Sequence, residues 1–307
     1  MEAKSPEDID QVNIEIWDNY LAERISNKYF DEKTLFYLKI YSLRTDSYAN
    51  SALRYGTYPL QNLIRHFIEY TKDGFKWYSH FTNERIIPGH EEITKRCQEL
   101  EHPMEIYRGH PPDFVTFGYF LGTIRDLIFG MYQIMDDIAI DMDSPGYLMQ
   151  VYRGINIPKG TKLRLNLEGF SSSSASFFTA VQFSASSYGT EEILDISKKD
   201  IYIFDIEIPE KTRIVPMNIC TIQDENEMII VSQGTLVEIE RMEETIEYWN
   251  FLYDGRKKTK TLPYTRIVCK LEIEEEYPPL GPFIINPNPT RSVFEEYLIK
   301  EELDNPF

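Results

Sequence analysis

The sequence predicts an α+β fold in which helices come first and strands follow. Before residue 140, apolar residues recur at the three-and-four spacing of an amphipathic helix, as in Leu60, Leu63, Ile64, Phe67 and Ile68. In the segment 266–274 the period is two instead, and one face carries Ile267, Cys269, Leu271 and Ile273. Residues 141–146, which include Pro145 and Gly146, predict a turn between the two regions. Helices followed by strands favour α+β over a parallel α/β sheet.

The single elements follow from local signals. Residues 5–8, Ser-Pro-Glu-Asp, predict a helix start with the serine as cap and the proline in the first turn. Residues 91–100 predict a shorter helix, and residues 117–138 predict the most apolar one. The segment 201–208 alternates at its end and predicts a strand. Ser292 and Glu295 predict a capping box for a C-terminal helix.

These elements divide the chain into three regions. Residues 1–144 form a mainly helical N-terminal lobe that can pack on the remainder, and residues 145–276 form a strand-rich core. Residues 277–307 contain a proline-rich segment and the C-terminal helix. The hydrophobic fraction of 42% is large enough for a sizeable core in a chain of 307 residues.

Charge and composition exclude several classes of partner. The net charge of −18 argues against general binding to nucleic acid or to an anionic membrane, since both need a basic surface. Three cysteines do not make a disulfide framework, and the five histidines, between His66 and His110, lack metal-ligand spacing. The N-terminus has no apolar signal segment, and residues 117–138 are interrupted by four charged residues. We expect a protein that is cytoplasmic as synthesised, and delivery into another cell as an effector is compatible with this.

The most informative motif is the acidic triplet Glu225-Asn226-Glu227, which leads into the apolar run 228–231. Two carboxylates two residues apart on an extended segment point to the same side. Like charges side by side at the mouth of a buried strand suit a site that stabilises a cation. Taken alone, the two glutamates would most often be ordinary surface carboxylates, and the triplet points to chemistry only together with two elements upstream of it.

Two further elements precede the triplet. Residues 151–154, Val-Tyr-Arg-Gly, predict that Arg153 ends a strand, and residues 169–174 read Gly-Phe-Ser-Ser-Ser-Ser. An arginine, a Phe-x-Ser-Ser-Ser segment and a Glu-x-Glu triplet in this order resemble the arginine-type mono-ADP-ribosyltransferases, a family of toxins, effectors and ecto-enzymes. The resemblance covers roughly residues 145–275.

The resemblance implies a mixed β-sandwich as the catalytic core and NAD as the substrate. The implied reaction transfers ADP-ribose from NAD to an arginine side chain of a target protein and releases nicotinamide. Glu227 would stabilise the positive charge that develops on the ribose, and Ser172 would orient Glu227 or the ribose. Arg153 would pair with the NAD phosphates, a task that suits a planar guanidinium.

The family pattern also assigns roles around these three residues. Glu225 would orient or deprotonate the acceptor guanidinium, because a free guanidinium stays protonated in water. Gly154 would allow close approach to the carboxamide, and Phe183 would stack on nicotinamide. Ser174 completes the expected NAD-binding set. The loop 217–224, which carries Ile222 in place of an aromatic residue, would recognise the target.

Several alternatives stay open at the level of sequence. The serine motif could start at Ser171 instead of Ser172. Arg108, in a second Tyr-Arg-Gly triplet, could be the motif arginine in place of Arg153. The same residues would serve an NAD glycohydrolase with water as the acceptor, or an inactive relative that binds NAD or acts as a scaffold. The expected partner is a target protein with an acceptor arginine, without nucleic acid, membrane or metal; the oligomeric state is left open.

Overall fold

The structure is a computed structural model. It describes residues 6–25, 31–41, 50, 60–73, 92, 95–96, 106–142, 150–185, 198–217, 226–251, 257–274 and 290–304. Six helices lie in these ranges: α1 (Pro6–Ile25), α2 (Glu32–Ile40), α3 (Leu60–Asp73), α4 (Phe114–Ile138), α5 (Phe177–Ala185) and α6 (Arg291–Asp304).

Nine strands occupy the described part of the chain. They are β1 (Ile140–Asp141), β2 (Gln150–Pro158), β3 (Asn166–Leu167), β4 (Ser171–Ser174), β5 (Lys199–Glu207), β6 (Arg213–Pro216), β7 (Glu227–Ile230), β8 (Gly234–Phe251) and β9 (Lys257–Ile273). Four helices before the sheet and mixed strand pairing within it confirm the predicted α+β class.

The strands form one connected sheet in the order β1-β6-β7-β4-β2-β5-β9-β8-β3. All described neighbours are antiparallel except β5 and β9. Strands β4 and β2 are joined through a single Cα pair, Tyr152 with Ser174. This narrow joint separates a four-stranded half from a five-stranded half and lies at the serine motif. The β-sandwich arrangement stays a prediction.

One hydrophobic cluster connects the helices with the sheet. It includes Trp17 of α1, Phe67 of α3 and Phe120 of α4 together with strand residues such as Val151 and Ile229. The C-terminal helix joins the same cluster, because the ring of Phe294 stacks on that of Phe117 at 4.7 Å between centroids. Helices α1 to α4 and α6 therefore share their core with the strands that carry the motif residues.

Helix α4 is long and apolar enough to cross a membrane by length and composition alone. In its most apolar window, 39% of the residues are buried inside the protein. The buried side chains include Phe117, Phe120, Ile124 and Met131, which belong to the hydrophobic cluster. A core helix of a soluble protein passes the same test, so this property identifies no membrane span.

Three local predictions, a helix start, a turn and a capping box, can be compared with the structure. Helix α1 begins at Pro6, as predicted, whereas Ser5 lies outside the described residues. Residues 140–141 form strand β1, so the turn expected from residue 141 is wrong at its first position. The capping box at Ser292 is also wrong, because α6 begins one residue earlier and the N–H of Val293 donates to Oγ1 of Thr290 at 3.4 Å.

Candidate active site

Strand β4 lies between β2 and β7 and consists of the four serines. Successive side chains of a strand point to opposite faces, so Ser172 and Ser174 share one face. In the pairing of β4 with β7, Ser172 lies opposite Ile229 and Ser174 lies opposite Glu227. The serine motif and the end of the acidic triplet therefore lie side by side in the sheet.

The Ser172 hydroxyl donates a hydrogen bond to Oε1 of Glu227 at 2.5 Å. Glu227 is the first residue of β7 and is only 8% exposed. A carboxylate so far removed from water needs polar partners, because burying an unpaired charge is costly. The hydroxyl supplies one such partner and fixes the orientation of that carboxylate oxygen.

Arg153 reaches the same place from the interior of β2, so the prediction that it ends a strand is wrong: β2 continues to Pro158 in its pairing with β5. Its Nη1 donates to the carbonyl oxygen of Ser172 at 2.5 Å, and its side chain is half-buried. The three residues thus form a chain of contacts, from the guanidinium to the serine backbone and from the serine hydroxyl to Glu227. Three segments far apart in sequence contribute a cation, a hydroxyl and an acid to one location.

The two alternative motif residues lie elsewhere. The hydroxyl of Ser171 is buried and has no hydrogen-bond partner among the described residues, whereas that of Ser172 reaches Glu227. Arg108 is exposed on a turn of the helical lobe, where Tyr107 packs against Phe120 and the N–H of Gly109 donates to α3. Ser172 and Arg153 therefore lie at the site of Glu227, whereas the Ser171 side chain points to the other face of β4 and Arg108 lies on a turn of the helical lobe.

The chain turns sharply just before β7. Asn226 has a φ of 47°, in the left-handed region that asparagine tolerates better than most residues. The expectation of a continuous extended triplet is therefore wrong at its central residue. Glu225 lies outside the described residues, as do residues 218–224 of the expected target-recognition loop.

The other expected NAD-binding residues lie on α5 or beside it. The hydroxyl of Ser174 accepts a hydrogen bond from the N–H of Ser176 at 3.0 Å. A Cβ at Gly154 would lie 1.7 Å from the carbonyl oxygen of Ala180, so glycine allows α5 to pack directly on β2. Phe183 lies on the same helix and is half-buried. These contacts are structural, and the roles of the three residues in NAD binding stay predictions.

Comparisons with solved structures give matches at low sequence identity and low TM-score. No protein-family model matches the sequence, and no curated protein matches it. Among solved structures, the Vis toxin of Vibrio splendidus is 10% identical, with a TM-score of 0.30 over 76% of this chain and 84% of that one. Plx2a of Paenibacillus larvae is 10% identical, with a TM-score of 0.37 over 86% and 96%. The catalytic domain of VsdC from Aeromonas hydrophila is 13% identical, with a TM-score of 0.31 over 76% and 99%.

Vis and Plx2a are ADP-ribosyltransferases. One structure of Vis is a complex with agmatine. TM-scores this low describe a partial overlap of backbones and carry no functional conclusion for this chain.

A buried ion pair lies on the face of β2 opposite Arg153. Asp205 of β5 is 1% exposed and accepts a hydrogen bond from Nη2 of Arg266 at 2.5 Å. Burial raises the pKa of the Asp205 carboxyl, and the hydrogen bond from Arg266 partly opposes this. Burial also raises the pKa of Tyr152, the residue opposite Asp205 in the sheet, to about 12. Sequence reasoning missed this pair, although a lone aspartate in the apolar run 201–206 was a signal for it.

The described residues hold no group of three or more His, Cys, Asp or Glu side chains that could bind a metal ion. Within this part of the chain, the site consists of a half-buried guanidinium, a hydroxyl and a nearly buried carboxylate. Such a set can bind an anion and stabilise an adjacent positive charge.

Proposed function

We propose that this protein is an NAD-dependent mono-ADP-ribosyltransferase that transfers ADP-ribose to an arginine side chain of a target protein and releases nicotinamide. The observation that carries the proposal is the hydrogen bond from Ser172 to Glu227 beside the guanidinium of Arg153. Each of the three residues comes from a different element of the motif that the sequence contains.

Glu227 has the environment that the reaction requires. Breaking the bond between nicotinamide and ribose leaves positive charge on the ribose, which a fixed carboxylate can stabilise. A charge acts more strongly in a site shielded from water and costs no reorganisation when it is already oriented. Glu227 meets both conditions, since it is 8% exposed and its Oε1 accepts the Ser172 hydroxyl.

Arg153 suits the binding of the anionic substrate. The protein carries a net charge of −18, so an NAD site needs local positive charge. The guanidinium is planar, always protonated and able to bind phosphate oxygens in a bidentate manner. Its contact with the carbonyl of Ser172 places this charge beside the residue that orients Glu227.

The choice of arginine as the acceptor rests on Glu225. A guanidinium acceptor needs a carboxylate to orient or deprotonate it, and the Glu-x-Glu triplet provides one two residues before Glu227. Glu227 is already engaged by the Ser172 hydroxyl, so the role towards the acceptor guanidinium falls to the first glutamate of the triplet.

The proposal is tested with labelled NAD and whole-cell lysate. The wild-type protein is expected to release nicotinamide and to label protein, and mass spectrometry of the labelled proteins is expected to locate ADP-ribose on arginine. Glu227→Gln should lower nicotinamide release at least 100-fold, while Glu240→Gln, at an exposed glutamate of β8, serves as the matched control. Release of nicotinamide without labelled protein would favour a glycohydrolase. Absence of release by the wild type, or full activity of Glu227→Gln, would refute the proposal.

A further inference from the structure

Helix α1 contacts the beginning of β2, the strand that carries Arg153. The indole Nε1 of Trp17 donates to the carbonyl oxygen of Gln150 at 2.9 Å, and Nδ2 of Asn13 donates to the same oxygen at 3.2 Å. Gln150 is the first residue of β2 and lies three residues before Arg153. The N-terminal end of β2 is therefore held to α1 by two hydrogen bonds.

The same face of α1 contacts the turn between β4 and α5. Nδ2 of Asn13 also donates to the carbonyl oxygen of Ala175 at 2.6 Å. The carboxylate of Asp10 accepts hydrogen bonds from the Ser176 hydroxyl at 2.7 Å and from the N–H of Phe177 at 2.5 Å. Asp10 is 7% exposed, so these bonds are shielded from water.

Asp10 thereby completes the N-terminus of α5, a helix more than 160 residues away in sequence. Ser176 directly precedes α5, and its hydroxyl accepts a hydrogen bond from the N–H of Thr179 at 3.1 Å, as an N-cap does. A carboxylate at this end also interacts favourably with the helix dipole. The position of the turn after Ser172 and Ser174 thus depends on a side chain of α1.

The turn is linked in its own backbone to the start of β7. The N–H of Ala175 donates to the carbonyl oxygen of Asn226 at 3.1 Å, and the next residue is Glu227. The carbonyl oxygen of Ala175 therefore accepts a hydrogen bond from Asn13, and the N–H of Ala175 donates one to Asn226. Through these contacts α1 is connected to all three segments that supply the site.

We propose that Asp10, Asn13 and Trp17 are positioning residues that hold Arg153, Ser172 and Glu227 in the arrangement needed for catalysis. The inference rests on the proposed function. These three side chains act through Ser176 and through the backbone of Gln150, Ala175 and Phe177. A displacement of about 1 Å in a catalytic group can lower a rate about 100-fold, so modest loosening of this turn has a large effect.

The test compares three variants of α1 with a control on the same helix. Asn13→Ala removes the donor to both carbonyls, Asp10→Asn removes the charge at α5, and Trp17→Phe removes only the indole N–H donor. Gln11→Ala is the control, because Gln11 is exposed and bonds Glu15 within α1. We expect kcat for NAD cleavage to fall at least tenfold in Asn13→Ala and to fall measurably in the other two. KM for NAD should rise by a smaller factor than kcat falls, because Glu227 acts on charge that develops during the reaction, whereas Arg153 contributes to substrate binding.

Hydrogen exchange measures the same contacts without relying on activity. In Asn13→Ala and Asp10→Asn, the amides of residues 175–177 and 226–230 should exchange faster, while those of α3 and α4 stay unchanged. Accelerated exchange throughout the protein would mean a general loss of stability and would overturn the positioning role. If Asn13→Ala does not fold, the positioning role is tested with Trp17→Phe, because this variant keeps an aromatic ring in the core.

The outcomes separate the inference from the proposed function. If the wild type does not cleave NAD, the proposed function fails and the positioning role fails with it. If the wild type cleaves NAD but Asn13→Ala and Trp17→Phe keep kcat within twofold, the positioning role alone is refuted.

Discussion

The Ser172 hydroxyl bonds Oε1 of Glu227 diagonally across two antiparallel strands. Ser172 is paired with Ile229, so its side chain reaches two residues along β7 to the glutamate at the strand's start. Diagonal neighbours of this kind lie within reach of polar side chains, but a slip of one residue would turn Ser172 to the other face. All four residues of β7 are buried, so such a slip would exchange the side chains packed on its two faces and disrupt the packing of Met228, Ile229 and Ile230. Core packing of β7 therefore sets the geometry of the site.

The hydrogen bond from Ser172 gives the first prediction. Ser172→Ala should lower kcat for NAD cleavage about 10- to 100-fold, since Glu227 then loses the donor that orients it. Steady-state assays of nicotinamide release measure the effect. Ser171→Ala is the matched control one residue away, and it should keep wild-type activity because its hydroxyl has no partner among the described residues. If Ser171→Ala is the more damaging change, the serine register used here is wrong.

The choice between the two Tyr-Arg-Gly triplets gives the second prediction. Arg153→Lys should reduce kcat/KM for NAD at least tenfold, because an ammonium cannot reproduce a planar contact with the Ser172 carbonyl and with phosphates. Arg108→Ala should retain kcat/KM within twofold, since Arg108 is exposed on the helical lobe. Calorimetric titration of NAD into each variant measures binding separately. A loss of NAD binding in Arg108→Ala alone would reverse the assignment.

The packing of α5 on β2 gives the third prediction. Gly154→Ala places a Cβ 1.7 Å from the carbonyl oxygen of Ala180, and backbone must move to relieve it. We expect a loss of about 2–3 kcal/mol in the free energy of unfolding, typical of an overpacked site. Gly118→Ala, in α4, meets no atom within 4 Å and should instead add up to about 1 kcal/mol through helix propensity. Urea denaturation compares the two, and equal stabilities would show that α5 does not press on β2.

The sequence pointed to Arg153, Ser172 and Glu227 as members of one motif, but it did not point to the residues that contact them. Their order along the chain identified the three residues, and the alternation of a strand determines which serine shares a face with Ser174. The contact between Asn13 and Ala175 spans 162 residues, and no local pattern encodes such a partner. Periodicity identifies which face of α1 is buried but not which carbonyl groups it meets.

The sequence pattern also did not predict the full length of β9 or the turn at Asn226. Alternation was visible over residues 266–274, whereas β9 extends from Lys257 to Ile273 and pairs with β8 along its whole length. The first part of the strand was not predicted, because charged residues are poor signals for a sheet and this part contains Lys257, Lys258 and Lys260. The left-handed conformation of Asn226 was equally hidden, since the residue type permits it without requiring it.

The buried pair of Asp205 and Arg266 gives the last prediction. Arg266→Met keeps an apolar side chain but removes the guanidinium, whose Cζ lies 5.7 Å from the centroid of the Phe177 ring, and it leaves Asp205 as an unpaired buried charge. At neutral pH this should cost about 3 kcal/mol of unfolding free energy. Arg241→Met, which removes a surface pair with Glu238, should cost less than about 1 kcal/mol and is the matched control.

The pH dependence of this cost has a definite sign. Burial raises the pKa of Asp205 in the folded protein, and Arg266 opposes that rise, so removing Arg266 raises the folded pKa further. A carboxyl with a raised folded pKa binds its proton more tightly in the native state, and stability falls as pH rises from the unfolded pKa to the folded one. The deficit of Arg266→Met should therefore be greatest at neutral pH and should shrink towards pH 4, as Asp205 becomes protonated. Urea denaturation of both proteins between pH 4 and pH 7 measures it. A deficit that is constant with pH would mean that lost packing, and not the unpaired carboxylate, accounts for the destabilisation.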